Sequence, residues 1–171
     1  MFGNGLGFHD LMPSSRLRPI IAADRDWLVE SHITSYAQSD GFDESFGKLV
    51  ADIVDAFLEA HDPDAEHGWI LEQDGMRLGS IFCVRLDEFT AQLRLFFLAP
   101  EARGKGFGRY LLRSCMDFAE NAGYEEMRLW THESHKAACD LYACNGWVLS
   151  DSLPVRSFGQ DLVEQTWTYA F

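Results

Sequence analysis

The sequence predicts a mixed α/β domain, and three patterns lead to that prediction. The apolar run 93–99 has the length of a buried strand, stops at Pro100, and is followed by a glycine-rich turn and then by residues with helical spacing. Apolar residues recur at three- and four-residue intervals over 46–58, which is typical of an amphipathic helix. Residues 68–86 contain two apolar stretches on either side of a tight turn, as in a β-hairpin.

The composition indicates one globular domain preceded by a short tail. The chain has 171 residues, of which 47% are hydrophobic and 13% aromatic, so it can bury a substantial core. Residues 1–14 are rich in glycine and show no periodicity, and they are predicted to be a flexible tail. Residues 15–171 are predicted to form a single domain.

Charge and cysteine content restrict the classes of partner and compartment. No apolar run approaches the length of a membrane span, and the N-terminus lacks the pattern of a secretory signal. Four cysteines without a C-x-x-C pair are expected to be reduced thiols, which favours a cytoplasmic location. The net charge of −13 argues against a nucleic-acid partner and is compatible with an amine-bearing one. The oligomeric state stays open, a homodimer included.

The N-terminal half is predicted to fold as a strand, two helices and a hairpin. A first strand is expected at 16–21, and a helix begins at 23–26 with Trp27, Leu28, Ile33 and Tyr36 in its apolar stripe. The turn at 39–42 separates that helix from the one over 46–58. The hairpin strands are 68–72 and 77–86, and Gly79 within the second of them predicts a bulge.

The C-terminal half is predicted to alternate strands and helices and to end in two strands. A strand is expected at 90–98, a helix at 105–122 that closes at Gly123, a strand at 125–131, and a helix at 134–147. The last two strands are placed around 147–149 and 162–171.

The turn between the strand 90–98 and the next helix is a candidate anion site. Backbone N–H groups at a helix N-terminus and the positive end of the helix dipole attract anions, and glycines let a ligand approach the main chain. Side chains of Arg103, Lys105 and Arg109 add positive charge in an otherwise acidic chain. The candidate residues are Arg103, Gly104, Lys105, Gly106, Phe107, Gly108 and Arg109.

The spacing of this turn excludes two common phosphate-binding motifs. A Walker loop needs G-x-x-x-x-G-K-[ST] and a dinucleotide fingerprint needs G-x-G-x-x-G, and neither matches residues 103–109. The segment does match [Q/R]-x-x-G-x-[G/A], and it follows an apolar strand and precedes an amphipathic helix. In these features the chain resembles the GNAT superfamily of acyl-CoA-dependent N-acyltransferases, over roughly residues 16–171. The resemblance implies a mixed, mostly antiparallel central sheet of six to seven strands flanked by about four helices, with acetyl-CoA as co-substrate.

A second motif supports the same resemblance and implies further site residues. Residues 138–147 look like the A-x-x-L-Y-x-x-x-G-[F/W] segment of the superfamily, whose tyrosine lies near the sulfur of CoA and is often the general acid. This resemblance makes Tyr142 the candidate catalytic residue, because the departing thiolate needs a proton donor. It also implies that main-chain groups of Phe96, Phe97, Leu98 and Ala99 orient the pantetheine and the thioester, and that His135 stands where many relatives have an asparagine that contacts CoA.

The general base is not apparent from the sequence. Several relatives carry a glutamate at the position of Gln92, and a glutamine side chain cannot accept a proton at neutral pH. Other candidates are distributed along the chain, namely His32, Asp43, Glu44, Glu66, His67 and Glu133. The pair His132 and His135 lacks a recognisable third ligand, so no metal is expected.

These patterns predict a cytoplasmic N-acetyltransferase that moves acetyl from acetyl-CoA directly to a primary amine of a small molecule or a protein. The hairpin and the C-terminal segment 157–168 also look similar to GNAT domains fused behind MarR-type helix-turn-helix regulators, although residues 1–15 are too few for such a DNA-binding domain. Two alternatives stay open: a CoA-binding sensor or regulatory module without turnover, and a nucleotide-binding protein that uses the same loop. The acceptor is not identified.

Overall fold

The computed structural model describes residues 14–171, so the predicted tail lies outside the described residues except for Ser14. The strands are β1 (Ser15–Pro19), β2 (His67–Gln73), β3 (Met76–Arg85), β4 (Thr90–Leu98), β5 (Glu126–His132), β6 (Val148–Ser157) and β7 (Gln160–Ala170). The helices are α1 (Arg25–Asp40), α2 (Glu44–Ala60), α3 (Phe107–Asn121) and α4 (Lys136–Cys144). Short 3-10 turns occupy Ala22–Asp24 and Pro100–Ala102. None of these helices is both long and apolar enough to cross a membrane.

All seven strands described belong to one sheet, in the order β1-β2-β3-β4-β5-β7-β6. Neighbouring strands are antiparallel except for β4 and β5, which are parallel. The predicted fold class, a mixed and mostly antiparallel sheet flanked by about four helices, is therefore confirmed.

The helices cover the two faces of the sheet separately, and each pair builds its own apolar core. Helices α1 and α2 pack against one face of β2 and β3 through Leu28, Val50, Val54, Phe57, Ile70 and Phe82. Helices α3 and α4 pack against the opposite face, where the fully buried residues include Phe107, Leu111, Leu112, Cys115, Met127 and Leu129. Because successive strand residues alternate between faces, Met127 and Leu129 assign the intervening residue Arg128 to the α1–α2 side of β5.

Two predicted boundaries differ from the structure for identifiable reasons. β6 extends over Val148–Ser157 instead of 147–149, and nearly all of its side chains are exposed. An edge strand with no buried face has no alternating pattern, and it tolerates Pro154 because its outer N–H groups need no partner in the sheet. α4 is shorter than the predicted helix 134–147 and spans Lys136–Cys144.

The bulge predicted at Gly79 is confirmed, and a second irregularity lies beside it. The β2–β3 register shifts where Leu71 pairs with Gly79 and Glu72 with Arg77. The β3–β4 register then shifts between Ser80 and Phe82, opposite Leu95, whose φ of 46° is left-handed. A Cβ at Gly79 would lie 2.8 Å from the carbonyl oxygen of Phe97, so only glycine allows this close approach.

These irregularities precede a divergence of the two central strands. Residues 90–92 of β4 pair with 126–128 of β5, and the ladder stops there. Beyond it, residues 93–98 of β4 and 129–132 of β5 border an opening in the sheet, called here the β4–β5 gap. The strand before the glycine-rich turn therefore splays away from β5.

A buried ion cluster ties β1 to the turn that begins α1. The carboxylate of Asp24 is fully buried and accepts hydrogen bonds from Arg18 at 2.7 and 2.8 Å and from Arg77 at 2.7 Å. Burial by itself raises the pKa of Asp24, but the hydrogen bonds from Arg18, from the Ile21 N–H and from Arg77 outweigh it and lower that pKa from 3.8 to about 2.

Asp24→Asn should therefore remove a pH-dependent part of the stability. Because the folded-state pKa lies below the unfolded one, the carboxylate stabilises the fold above about pH 4, and this contribution is lost as the pH falls toward 2. The difference in unfolding free energy between wild type and Asp24→Asn, measured by urea denaturation, should shrink by about 2 kcal/mol between neutral pH and about pH 2. Asp26→Asn, which removes an exposed carboxylate nearby, is the control. A difference that does not vary with pH would contradict the assignment.

Candidate functional site

The glycine-rich turn and the N-terminus of α3 form an exposed loop with an anchored end. Gly104 and Gly106 have φ values of 72° and 85°, and no heavy atom lies within 4 Å of a Cβ built at either position. These glycines are therefore required by backbone conformation rather than by lack of space. Gly106 precedes α3 and has no side chain with which to cap it, whereas Phe107 is fully buried and anchors the first turn. The amides at this end can meet an anion from solvent.

The loop folds back onto the end of β4. The Nε of Arg103 donates to the carbonyl oxygen of Leu98 at 3.1 Å, and the N–H of Ala102 donates to Ala99 at 2.9 Å. Arg103, Lys105 and Arg109 are exposed. The residues of β4 that are predicted to contact CoA through their main chains and the loop residues predicted to bind an anion therefore lie together at the end of the β4–β5 gap.

The main chain of β4 presents polar groups to the β4–β5 gap. The N–H of Ala99 donates to Leu78 of β3 at 2.8 Å, and Phe97 pairs with Ser80 of β3. By the alternation of a strand, the N–H and C=O groups of Phe96 and Leu98 point away from β3, toward the gap. The main chains of Phe97 and Ala99 pair with β3 instead, and the side chain of Phe97 is buried on the α1 side.

Tyr142 lies on α4 beside this opening. Its ring is buried, 6.3 Å from Phe96, 5.8 Å from Trp147 and 6.1 Å from Trp167 between ring centroids. Burial, with a smaller contribution from Tyr36, raises the pKa of the Tyr142 phenol well above its usual range. Tyr142 therefore keeps its proton at neutral pH and can donate it in a hydrogen bond.

Tyr36 belongs to the candidate site, although the sequence analysis placed it only in the apolar stripe of α1. Burial and the charge of Asp40 raise the pKa of Tyr36 to about 12, while the charge of Arg103 acts in the opposite direction. Its ring centroid lies 5.1 Å from that of His135, and its phenol also interacts electrostatically with Tyr142. Tyr36 thus connects the loop, α4 and α1. No local sequence signal identifies it, because its partners come from distant segments.

His135 stands at the start of α4 and is held by a carboxylate of α1. Its Nε2 lies 3.1 Å from both carboxylate oxygens of Asp40, and its Nδ1 lies 3.4 Å from Oγ1 of Thr131. The predicted contact of His135 with CoA stays a prediction. Within residues 14–171 no three His, Cys, Asp or Glu side chains are grouped closely enough to hold a metal ion. The expectation from the sequence that no metal is bound also stays a prediction.

The sequence-derived candidates for a general base are mostly engaged elsewhere. His32 is buried, its Nδ1 lies 2.8 Å from the Leu28 carbonyl oxygen, and burial lowers its pKa to about 4, so it is neutral. Asp43 caps α2 through the Ser45 N–H, and Glu66 accepts from the N–H of Arg85. The remaining candidates are not arranged as bases for the gap: Glu44 and Glu133 are exposed, and His67 packs on Trp69 and Phe118.

The loop between α1 and α2 meets the turn between β6 and β7 and encloses one side of the site. The N–H of Asp43 donates to the carbonyl oxygen of Phe158 at 3.1 Å, and Nε2 of Gln160 donates to that of Gly41 at 3.0 Å. The aromatic rings that line this contact are Tyr36, Phe42, Phe46, His132 and Phe158. These rings form an aromatic wall beside His135.

Comparisons with known proteins agree with this geometry. In the mouse, probable N-acetyltransferase family 8 member 5 is 28% identical over 103 residues, which are 57% of this chain and 44% of that protein. The chain thus spans less than half the length of that relative. An uncharacterized N-acetyltransferase of Methanocaldococcus jannaschii is 23% identical over 141 residues, 78% of this chain and 61% of that one.

Solved structures share the fold at low sequence identity. An acetyltransferase from Streptococcus agalactiae 2603 has a TM-score of 0.78 and 21% identity, covering 92% of this chain and 99% of that one. Spermidine N-acetyltransferase from Vibrio cholerae, solved with CoA and spermine, has a TM-score of 0.72 and 19% identity, covering 92% and 96%. The model of the acetyltransferase (GNAT) family matches residues 25–147, from the start of α1 to the end of the Tyr142 motif. Since that match includes most of the chain together with the loop, the gap and Tyr142, the protein belongs to the acetyltransferase (GNAT) family.

Proposed function

We propose that this protein is an acyl-CoA-dependent N-acyltransferase that moves acetyl from acetyl-CoA to a primary amine by direct transfer within a ternary complex. The single observation that carries the proposal is the β4–β5 gap, which ends at the cationic N-terminus of α3 and has the buried phenol of Tyr142 beside it. Acetyl-CoA carries an activated acyl group as a thioester, and its binding and reaction need an anchor for the CoA phosphates, polar groups for the thioester carbonyl and a proton donor for the sulfur.

The described residues fit such a ligand. The first amides of α3, with Arg103, Lys105 and Arg109, offer positive charge to a pyrophosphate. Main-chain groups of Phe96 and Leu98 are directed into the gap, where an extended pantetheine arm can pair with β4 as a strand would. A main-chain N–H at this place would also polarise the thioester carbonyl.

The chemistry that these residues support is acyl transfer with a net movement of one proton. The amine nitrogen bonds to the carbonyl carbon while the carbon–sulfur bond breaks, and the amine loses a proton as the sulfur gains one. Tyr142 is neutral at neutral pH and burial raises its pKa further, so its hydroxyl can donate to the departing sulfur and recover a proton that comes from the amine. The phenol thereby stabilises the leaving group without forming a covalent intermediate.

One observation favours a second candidate, a CoA-binding sensor without turnover. Gln92 occupies the strand position where a carboxylate would accept the amine proton, and together with Arg94 it lines a depression beside α2. Thiol release from acetyl-CoA, measured over a panel of primary amines, separates the candidates, since a sensor would bind CoA and release no thiol. Stabilisation by ATP or NAD instead of acetyl-CoA would favour the nucleotide-binding alternative.

Gly106→Asp should abolish acetyl-CoA binding, because it places a carboxylate where an anion is expected to bind. Saturating acetyl-CoA, at about 100 times its Kd, should stabilise the wild type by roughly 2.7 kcal/mol in thermal unfolding. The variant should show no such stabilisation. Gly75→Asp is a matched control, since Gly75 also has a left-handed φ, 78°, and open space around it but lies in the β2–β3 turn. Unchanged acetyl-CoA affinity in Gly106→Asp would refute the loop assignment.

Tyr142→Phe should lower kcat by about 100-fold or more, in the range that a positioned acid contributes, and change the KM for acetyl-CoA only slightly. The substitution keeps the buried ring and removes only the proton donor. Tyr124→Phe removes another buried hydroxyl, which donates to the Ala65 carbonyl oxygen at 2.9 Å, and should leave kcat unchanged. Steady-state thiol-release kinetics measure both variants. A kcat for Tyr142→Phe within threefold of the wild type would exclude the acid role.

A further inference from the structure

A trough lies beside α2 on the sheet face opposite α3. Its wall is the C-terminal half of α2, with Ile53, Ala56 and Phe57, and its floor includes Val84, Gln92 and Arg94. The volume is about 420 Å³, which is within the range of sites for small metabolites. This space, called here the α2 trough, borders the point where β4 leaves β5.

Arg94 on this floor differs from the other arginines in its surroundings. The guanidinium groups of Arg16, Arg18, Arg25, Arg77, Arg85, Arg128 and Arg156 each lie within ion-pair distance of a carboxylate. Of the remaining arginines in residues 14–171, those at 103, 109 and 113 are exposed, whereas Arg94 is half-buried. Burial lowers the pKa of Arg94, and among the described residues no carboxylate lies within ion-pair distance of it. Two carboxylates also line the trough, but Asp52 pairs with Lys48, and Glu66 accepts from the main-chain N–H groups of Asp62 and Arg85.

A second arginine lies next to it on the same face of the sheet. Arg128 of β5 pairs with Gln92 of β4, and Arg94 is two residues farther along β4, so all three side chains share the α1–α2 side. Arg128 donates from Nη2 to Glu126 at 2.8 Å, but its Nε is buried and lacks a hydrogen-bond partner among the described residues. Arg128 is therefore paired with Glu126, unlike Arg94.

An exposed aromatic ring continues this face. Trp130 follows Arg128 by two residues on β5, so it is on the same side, and 40% of its surface is exposed. Neither Arg128 nor Trp130 lines the trough, so the guanidinium groups that a ligand there would meet are those of Arg94 and Arg85, and Arg85 is already paired with Asp62.

The trough is close to the proposed reaction centre. Arg94 precedes Phe96 by two residues, a separation of about 7 Å along a strand. An acceptor whose amine reaches the β4–β5 gap could therefore place a group a few bonds away against Arg94. A guanidinium is suited to a carboxylate, because its planar fork donates two parallel hydrogen bonds.

We propose that the acceptor is a free α-amino acid, whose carboxylate is bound by Arg94. The inference rests on the proposed N-acyltransferase function and names its substrate class. A glutamine at position 92 is compatible with this role, since a carboxylate there would compete with that of the substrate for the neighbouring Arg94.

The test compares amino acids with their decarboxylated amines: L-phenylalanine with phenethylamine, L-leucine with isoamylamine, and L-lysine with cadaverine. The wild type should acetylate at least one amino acid with a kcat/KM about 10-fold or more above that of its partner amine. Arg94→Gln should raise the KM for that amino acid by about 10- to 100-fold, the range expected for a lost charge-assisted hydrogen bond. It should leave kcat/KM for the decarboxylated amine within about twofold, since that amine never contacts Arg94.

Two further variants and a binding measurement keep the outcomes separate. Arg94→Lys should recover only part of the preference, because an ammonium lacks the fork, and Arg113→Gln, which removes an exposed arginine of α3, should behave as the wild type. Calorimetric titration of the CoA-loaded protein with the same amino-acid and amine pairs gives the comparison without turnover, so the failure of acetylation and the failure of carboxylate recognition are distinguishable. The proposal is overturned if no amino acid is preferred over its decarboxylated partner in binding or turnover, or if Arg94→Gln weakens both members equally.

Discussion

The structure depends on one constraint, the early end of the parallel pairing between β4 and β5. Three residues on each strand pair, and then β4 turns away at Leu95, whose φ is left-handed. The bend is possible because Gly79 on β3 has no Cβ, which lets the Phe97 carbonyl approach the main chain of β3. Without that divergence the main-chain N–H and C=O groups of Phe96 and Leu98 would form hydrogen bonds with β5. Because the strands separate, these groups are available to a ligand.

Elements from both helical layers converge on the opening. The layer of α3 and α4 contributes the glycine-rich turn and Tyr142, while the layer of α1 and α2 contributes Tyr36 and Asp40. Burial raises the pKa of both phenols, and Asp40 fixes the imidazole of His135 at the start of α4. A site assembled between two independently packed cores has rigid walls, because movement of either wall would expose apolar surface.

The unpaired cations of the protein include two groups, one at the proposed site of acetyl-CoA and one at the proposed site of the acceptor. Most cations of this acidic chain are neutralised by nearby carboxylates, as in the cluster around Asp24. The exceptions are concentrated in the loop before α3, where Arg103, Lys105 and Arg109 are exposed, and in the α2 trough, where Arg94 is half-buried. The first group is accessible from solvent and suits a large phosphorylated ligand. The second is partly desolvated, so its interaction with a small carboxylate would be stronger and more selective.

Much of the fold was predictable because its signals are local. The periodicity of α2, the turn of the β2–β3 hairpin and the apolar run of β4 each report the environment of a few consecutive residues. β6 was mostly missed because an exposed edge strand needs no alternating pattern and accommodates a proline. The location of the bulge was predictable at Gly79, but its effect on β4 was not, since it depends on a cross-strand contact.

The sequence by itself was enough to predict the candidate anion-binding turn and to locate Tyr142, because in each case the necessary residues are neighbours in the chain. Tertiary structure alone decided the roles open to Tyr36, Asp40 and Arg94, which carry no motif. Asp40 contacts His135 from a distant segment of the chain. Arg94 differs from the paired arginines only because the fold buries it partly and places no described carboxylate within ion-pair distance of it. Burial and pairing are properties of surroundings that distant segments supply, and for this reason the acceptor side of the site could not be derived from local sequence.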